Sequence, residues 1–412
     1  MRTRTTAALL LACAASAAHA QAALNDTGQT LCYSNTGTTA CNDPAFPGQD
    51  ARYGRDAAQA AGQLPPKTGG GVAAFDFTAR SASGQPVNPS AGTHPCVRDN
   101  VTGLTWKVAT VDGLDWTEGP AYAATHNACG YGDWRMPTRR ELLSIANRAD
   151  ASPDGDYFTG IGFLLSAWTA DAYAHAAGHA WYVLPTGGAD FTLQTSTASA
   201  RYVRGAPAPA STFTIHPDGT ATDAATALVW DRCHLGEDAS VNTVCAEAAA
   251  LPASHTWQQA LQTVAQLNAR PGGYRGHSDW RLPNVAELES LMDMAFAERS
   301  PSDQVAFPGN TAGNYYWSST TYAAEATPVH AWYVNVLTGA VGAREKTDTL
   351  LVRLVRGGGP LAAFDALAAP PTPPNPSAPT ATPVPTLGHA ALALLSASVA
   401  GLGFWRRRRG GF

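Results

Sequence analysis

The residues of this chain best suited to hold a sugar are tryptophans: Trp134, Trp168, Trp181, Trp280, Trp317 and Trp332. An indole face packs well on the apolar side of a pyranose ring. Indoles are also usually buried, and recurrence at matched positions is what a core shared by two copies demands. Trp168 and Trp317 are taken as the ligand-contacting candidates, together with Arg139 and Arg140. With Arg148, those two arginines form the only cluster able to build a basic patch. Arg135 and Arg281 stand beside Asp133 and Asp279 and read as internal ion pairs. His175, His179 and His330 lead into strand-like runs and lack the helical His-x-x-x-His arrangement of a strong metal motif, so no metal is expected. Nothing resembles a nucleophile elbow, a phosphate loop or a Ser-His-Asp order, and the carboxylates are scattered. No catalytic residue, cofactor or enzymatic activity is therefore expected.

The elements that must position these residues occur twice. Asp99-Asn100-Val101-Thr102-Gly103-Leu104-Thr105-Trp106 parallels Asp223-Ala224-Ala225-Thr226-Ala227-Leu228-Val229-Trp230. A helical stretch follows each, begun at Trp116 and at Trp257; in the second, Trp257, Ala260, Leu261, Val264 and Leu267 fall on one helical face. Asp133-Trp134-Arg135-Met136-Pro137-Thr138-Arg139-Arg140-Glu141-Leu142 then parallels Asp279-Trp280-Arg281-Leu282-Pro283-Asn284-Val285-Ala286-Glu287-Leu288. Thr138 with Glu141 has capping-box spacing and Asn284 with Glu287 is a close variant, so each block is a turn into a helix. The last third of each copy reads as hairpins. His179-Ala180-Trp181-Tyr182-Val183 parallels His330-Ala331-Trp332-Tyr333-Val334, and Arg201–Gly205 parallels Arg353–Gly357.

The ends assign the compartment. A basic start, an apolar run over Ala7–Ala18 and Ala18-His19-Ala20 make residues 1–20 a signal peptide. The alternative is a lipoprotein signal with Cys13 lipidated. Residues 359–384 form a Pro-rich linker. Residues 385–412 carry an apolar stretch and the cluster Arg406, Arg407, Arg408, Arg409, which positive-inside topology would keep cytoplasmic. Six cysteines remain after residue 20, an even number that suits disulfides in an exported chain. Spacing suggests Cys32 with Cys41, Cys96 with Cys129 and Cys233 with Cys245. Loss of both ends takes six arginines and no acid, so 27 basic residues become 21 against 32 acidic, a net charge of −11. That balance argues against nucleic acid as a partner.

The Asp-Trp-Arg-x-Pro block and the Ala-Trp-Tyr-Val strand resemble the C-terminal domain of the Legionella collagen-like adhesin, in two tandem copies spanning 72–206 and 212–358. Thr27–Tyr33 and Gly48–Asp50, within residues 21–71, resemble the lead-in of such modules. The order Val384-Pro385-Thr386-Leu387, apolar stretch and arginines resembles Ile-Pro-Thr-Leu and Pro-Glu-Pro sorting signals. The first resemblance implies an α+β fold: two C-type-lectin-like or formylglycine-generating-enzyme-like domains, each with two helices and short irregular antiparallel strands. The second implies an exosortase-like processing enzyme as partner, membrane attachment through the tail, and a place on the cell surface or outside the cell after processing; a plain uncut anchor is the alternative. The cysteine pair of the enzymatic relatives and the Glu-Pro-Asn and Trp-Asn-Asp signatures of calcium-dependent lectins are absent. The expected function is non-catalytic adhesion to a carbohydrate such as an exopolysaccharide. The alternative is a protein-binding or structural surface protein that presents the loops Asp150–Gly162 and Arg299–Asn314. Sulphated glycans would need a basic surface, which Arg139, Arg140 and Arg148 could supply only in the first copy.

Overall fold

The computed structural model describes residues 24–53, 55–62, 64, 66–91, 94–150, 155–158, 166–184, 186–207, 210–238, 245–247, 254–292, 305–308 and 315–357. The segment expected to be a signal peptide, the Pro-rich linker and the sorting tail lie outside these residues, as does most of the two long loops. The chain is mostly sheet with few helices. Among the described residues each copy has two: Glu118–Thr125 (α2) and Arg139–Leu143 (α3) in the first, Trp257–Asn268 (α4) and Val285–Ser290 (α5) in the second, while Arg55–Ala60 (α1) belongs to the lead-in. On α4 the buried residues are Trp257, Ala260, Leu261, Val264 and Leu267, the face read from the periodicity.

Both copies share one sheet of ten strands. Its order is Ser254–His255, Leu350–Leu351, Tyr315–Thr321, His330–Asn335, Val341–Glu345, Ala189–Leu193, His179–Val183, Ala167–Ala172, Ala198–Ala200, Val111–Leu114. Read from either edge, equivalent strands appear in the same order, and the copies meet where Val341 pairs with Ala189 antiparallel. The expectation of antiparallel pairing needs one correction. Ala198–Ala200 runs parallel to Ala167–Ala172, and Leu350–Leu351 runs parallel to Tyr315–Thr321. In each copy the chain leaves a three-strand meander and crosses back beside the meander's first strand, keeping the sense of the strand it left, so the new pairing is parallel.

A four-stranded sheet completes each copy: Phe77–Arg80, Cys96–Asp99, Thr105–Lys107 and Val203–Arg204, then Phe213–Ile215, Thr220–Asp223, Leu228–Asp231 and Val355–Gly357. Its second turn is built alike in both. Asp99 accepts from Val101 N and from Thr102 Oγ1; Asp223 accepts from Ala225 N and from Thr226 Oγ1. The turn closes through a left-handed residue, Gly103 at φ 75° and Ala227 at φ 58°. An L side chain is disfavoured there. Ala227→Gly is therefore expected to stabilise the fold by about 0.5–1 kcal/mol, net of the added freedom of the unfolded chain. A raised urea midpoint at unchanged slope would show it.

The core explains the tryptophans. All six singled out above are 5% exposed or less, and Trp168 and Trp317 are fully buried. Trp168 Nε1 donates to Leu114 O at 3.0 Å and Trp317 Nε1 to His255 O at 2.9 Å. Each indole pins the edge strand of its own copy, so neither can be the sugar-stacking surface proposed from its type. The disulfides Cys32–Cys41, Cys96–Cys129 and Cys233–Cys245 are the pairs suggested by spacing.

The lead-in is wedged against both copies. Gln29 brackets Thr321 as a strand would, accepting from its N at 2.8 Å and donating to its O at 2.7 Å. Lys346 Nζ donates to Ser34 O at 2.7 Å, and Phe46 packs on Trp257. Toward the first copy, Asn25 Nδ2 donates to Asp99 Oδ2 and Arg148 N to Thr27 O, both at 2.7 Å.

Candidate functional site

The Asp-Trp-Arg-x-Pro blocks build two matching helix starts. Thr138 caps α3 and Asn284 caps α5, each in a full reciprocal box with Glu141 or Glu287. The same glutamates clamp the arginines: Arg135 donates to Glu141 at 2.7 and 2.6 Å, and Arg281 to Glu287 at 2.6 and 2.7 Å. Internal ion pairs were expected, but with Asp133 and Asp279. Those aspartates instead hold Arg204 and Arg356, at 2.7 Å to each Nε. Two apart on extended backbone, Asp133 and Arg135 would share a side, as would Asp279 and Arg281, but each of the four is taken by a partner from elsewhere in the chain. The proline turn then brings the glutamate, six positions on, under the arginine.

Helices α3 and α5 meet at the junction of the copies, and here the repeat has diverged. Arg139, Arg140 and Leu143 stand where the second copy has Val285, Ala286 and Glu289. Arg139 is 1% exposed, lies over Trp181 at 5.0 Å and donates through Nη2 to Gly339 O. Arg148 is 2% exposed, lies over Trp332 at 4.5 Å, donates to Gly187 O and pairs with Glu289 at 2.6 Å. Burial pulls both guanidinium pKa values below the usual range, with Glu289 opposing that pull. Arg139 and Arg148 are thus internal fastenings between the copies and cannot form the basic surface patch that a sulphated polymer would need.

Beside this junction lies a cleft of about 440 Å³. Its walls are the lead-in at residues 24–27, the first-copy turn at 100–104, α3 and the residues that follow it to 148, residues 206–207, and Ala286 with Glu289 from α5. Leu24, Val101, Leu104, Leu143 and Pro207 make much of the lining apolar, and Arg140, Asp26, Glu141 and Glu289 supply polar groups. A largely apolar cavity of this size with a few convergent polar groups is the usual form of a small-ligand site. Of the four residues assigned to ligand contact, Arg140 alone lines it. The sequence gives no sign that lead-in and turn would close over that arginine, because both contacts are distant in the chain.

Other candidates are occupied. The half-buried Tyr315 and Tyr333 on the outer sheet face are covered by Arg344, at 4.6 and 5.5 Å from their ring centres. His179 Nδ1 lies 3.2 Å from Ala177 O, while His330 Nδ1 lies 2.7 Å from Glu325 Oε1, so the matched histidines share no common ligand geometry. Among the described residues the one grouping with metal-ligand spacing is Cys233, Glu237 and Cys245, whose two sulfurs are joined to each other.

The sequence matches the family described as the Lcl C-terminal domain over residues 95–204 and 219–356, and the IPTL-CTERM motif over residues 382–409. No curated protein matches it. A C-terminal sorting motif implies export and surface association. No helix among the described residues is long and apolar enough to cross a membrane.

Proposed function

The chain belongs to the Lcl C-terminal domain family, whose pattern it carries twice, and we propose that it is a non-catalytic, adhesin-like surface protein that binds a carbohydrate. The observation that carries this reading is the junction cleft, whose apolar walls and few hydrogen-bonding groups suit one or two sugar rings. Two helices and short, irregular strands in each copy support a C-type-lectin-like or formylglycine-generating-enzyme-like scaffold. A glycan array probed with residues 21–360 tests the reading. Reproducible hits of one sugar class are expected; no hit at high protein concentration would favour a protein partner instead.

The tail is read as the substrate of an exosortase-like transpeptidase, on the strength of its motif. The mature protein should then end near Thr386. Intact-mass measurement of the native protein decides this, because retention of Trp405 would mean an uncut anchor.

A further inference from the structure

We infer that the junction cleft selects an acidic saccharide, a uronic acid or similar sugar carboxylate, and that Arg140 is the group that receives it. The inference rests on the glycan reading above and adds the chemical class of the ligand. Its ground is an imbalance among the guanidinium groups near the cleft. Arg135 is held by Glu141, Arg148 by Glu289 and Gly187 O, and Arg139 by Gly339 O. Arg140 lines the cleft, yet its Nη2 is shielded from solvent and meets no acceptor among the described residues. An unmet donor on a charged group costs free energy that a bound acceptor would return.

The rest of the wall fits a single planar anion. Glu141 and Glu289 also face the cleft, but each is neutralised by its own arginine; Asp26 accepts from Gly28 N and Asp56 N. Asp223, Glu289 and Glu141 act on Arg140 through space, yet none accepts from its Nη2, which remains to bond a carboxylate of the ligand. The equivalent position in the second copy is Ala286, which lines the same cleft and adds no charge to it. Val101, Leu104 and Pro207 offer apolar surface to the C–H face of a ring. The protein's acidic balance and a single available cation both disfavour a densely charged sulphated chain.

The test is titration of the purified protein with alginate, hyaluronan and oligogalacturonate fragments, each beside its carboxyl-reduced counterpart. At least one acidic fragment should bind, its reduced form tenfold or more weakly, and Arg140→Gln should lose the same factor. The comparison of reduced with native fragments uses the unaltered protein, so it stands even if the variant misfolds. Equal binding of native and reduced fragments would overturn the inference while leaving the glycan reading intact. Binding of an acidic fragment at full strength by a folded Arg140→Gln protein would remove Arg140 from the role. Failure of every acidic and neutral sugar would reject both.

Discussion

Glu289→Ala is expected to destabilise the protein by about 3–5 kcal/mol, the cost of stranding a buried charge. The pair it breaks is 2% and 4% exposed, far from the surface setting in which an ion pair is worth about 0–1 kcal/mol. Without Glu289, the Arg148 guanidinium keeps its place over Trp332 and its bond to Gly187 O, but loses its carboxylate in the fold's interior. The loss also falls between the copies, one contributing the arginine and the other the glutamate. Urea unfolding should therefore show a lower midpoint and a less cooperative transition. An apolar double replacement, Arg148→Met with Glu289→Leu, should recover most of the loss, because neither charge is left alone. A change below about 1 kcal/mol in Glu289→Ala would place the pair in the weak surface class.

The second large effect is on pH dependence, through Asp50. This carboxylate is 1% exposed, accepts from Thr27 Oγ1 and Thr320 Oγ1 at 2.7 Å each, and has an Oδ1 with no partner among the described residues. Burial, with the neighbouring charges of Asp26 and Glu287 adding to it, pushes its pKa up to about 8. A carboxyl raised in the folded state contributes stability that is fully present below its unfolded pKa near 3.8. That contribution is lost as pH rises through the folded value. Between pH 4 and 8 the protein should lose on the order of 5 kcal/mol from this group, at about 1.4 kcal/mol per pH unit. Asp50→Asn cannot ionise but must find an acceptor for its amide, at about 1–3 kcal/mol. It should be less stable than the parent at pH 4 and more stable at pH 9. Stability curves that stay parallel from pH 5 to 9 would show that Asp50 does not carry the dependence.

These two groups also mark where reading the sequence stops. The caps at Thr138 and Asn284, the apolar face of α4 and the three disulfides depend on local spacing, and spacing is visible in the chain. The role of Arg148 is not, because its partner Glu289 and its platform Trp332 are 141 and 184 positions away. A polar cluster at 139, 140 and 148 looks like surface until the second copy is folded against it. The difference between Leu143 and Glu289 was the available hint: paired with the arginines of the first copy, the acid in the second reads as a charge match across an interface. The order of the repeats likewise says nothing of the Val341–Ala189 pairing that makes their sheets one. Trp168 and Trp317 illustrate the opposite case, in which residue type suggested a ligand and recurrence correctly suggested a core.

On this reading the ligand sits where the lead-in and the two copies converge. Hydrogen exchange of the whole protein, with and without the saccharide that binds most tightly on the array, tests it directly. Ligand-induced protection is expected at residues 24–27, 100–104 and 140–148 together, since all three segments contribute to the one cleft. Protection confined to the outer face of the sheet, around Tyr315 and Tyr333, with those three segments unchanged, would contradict it.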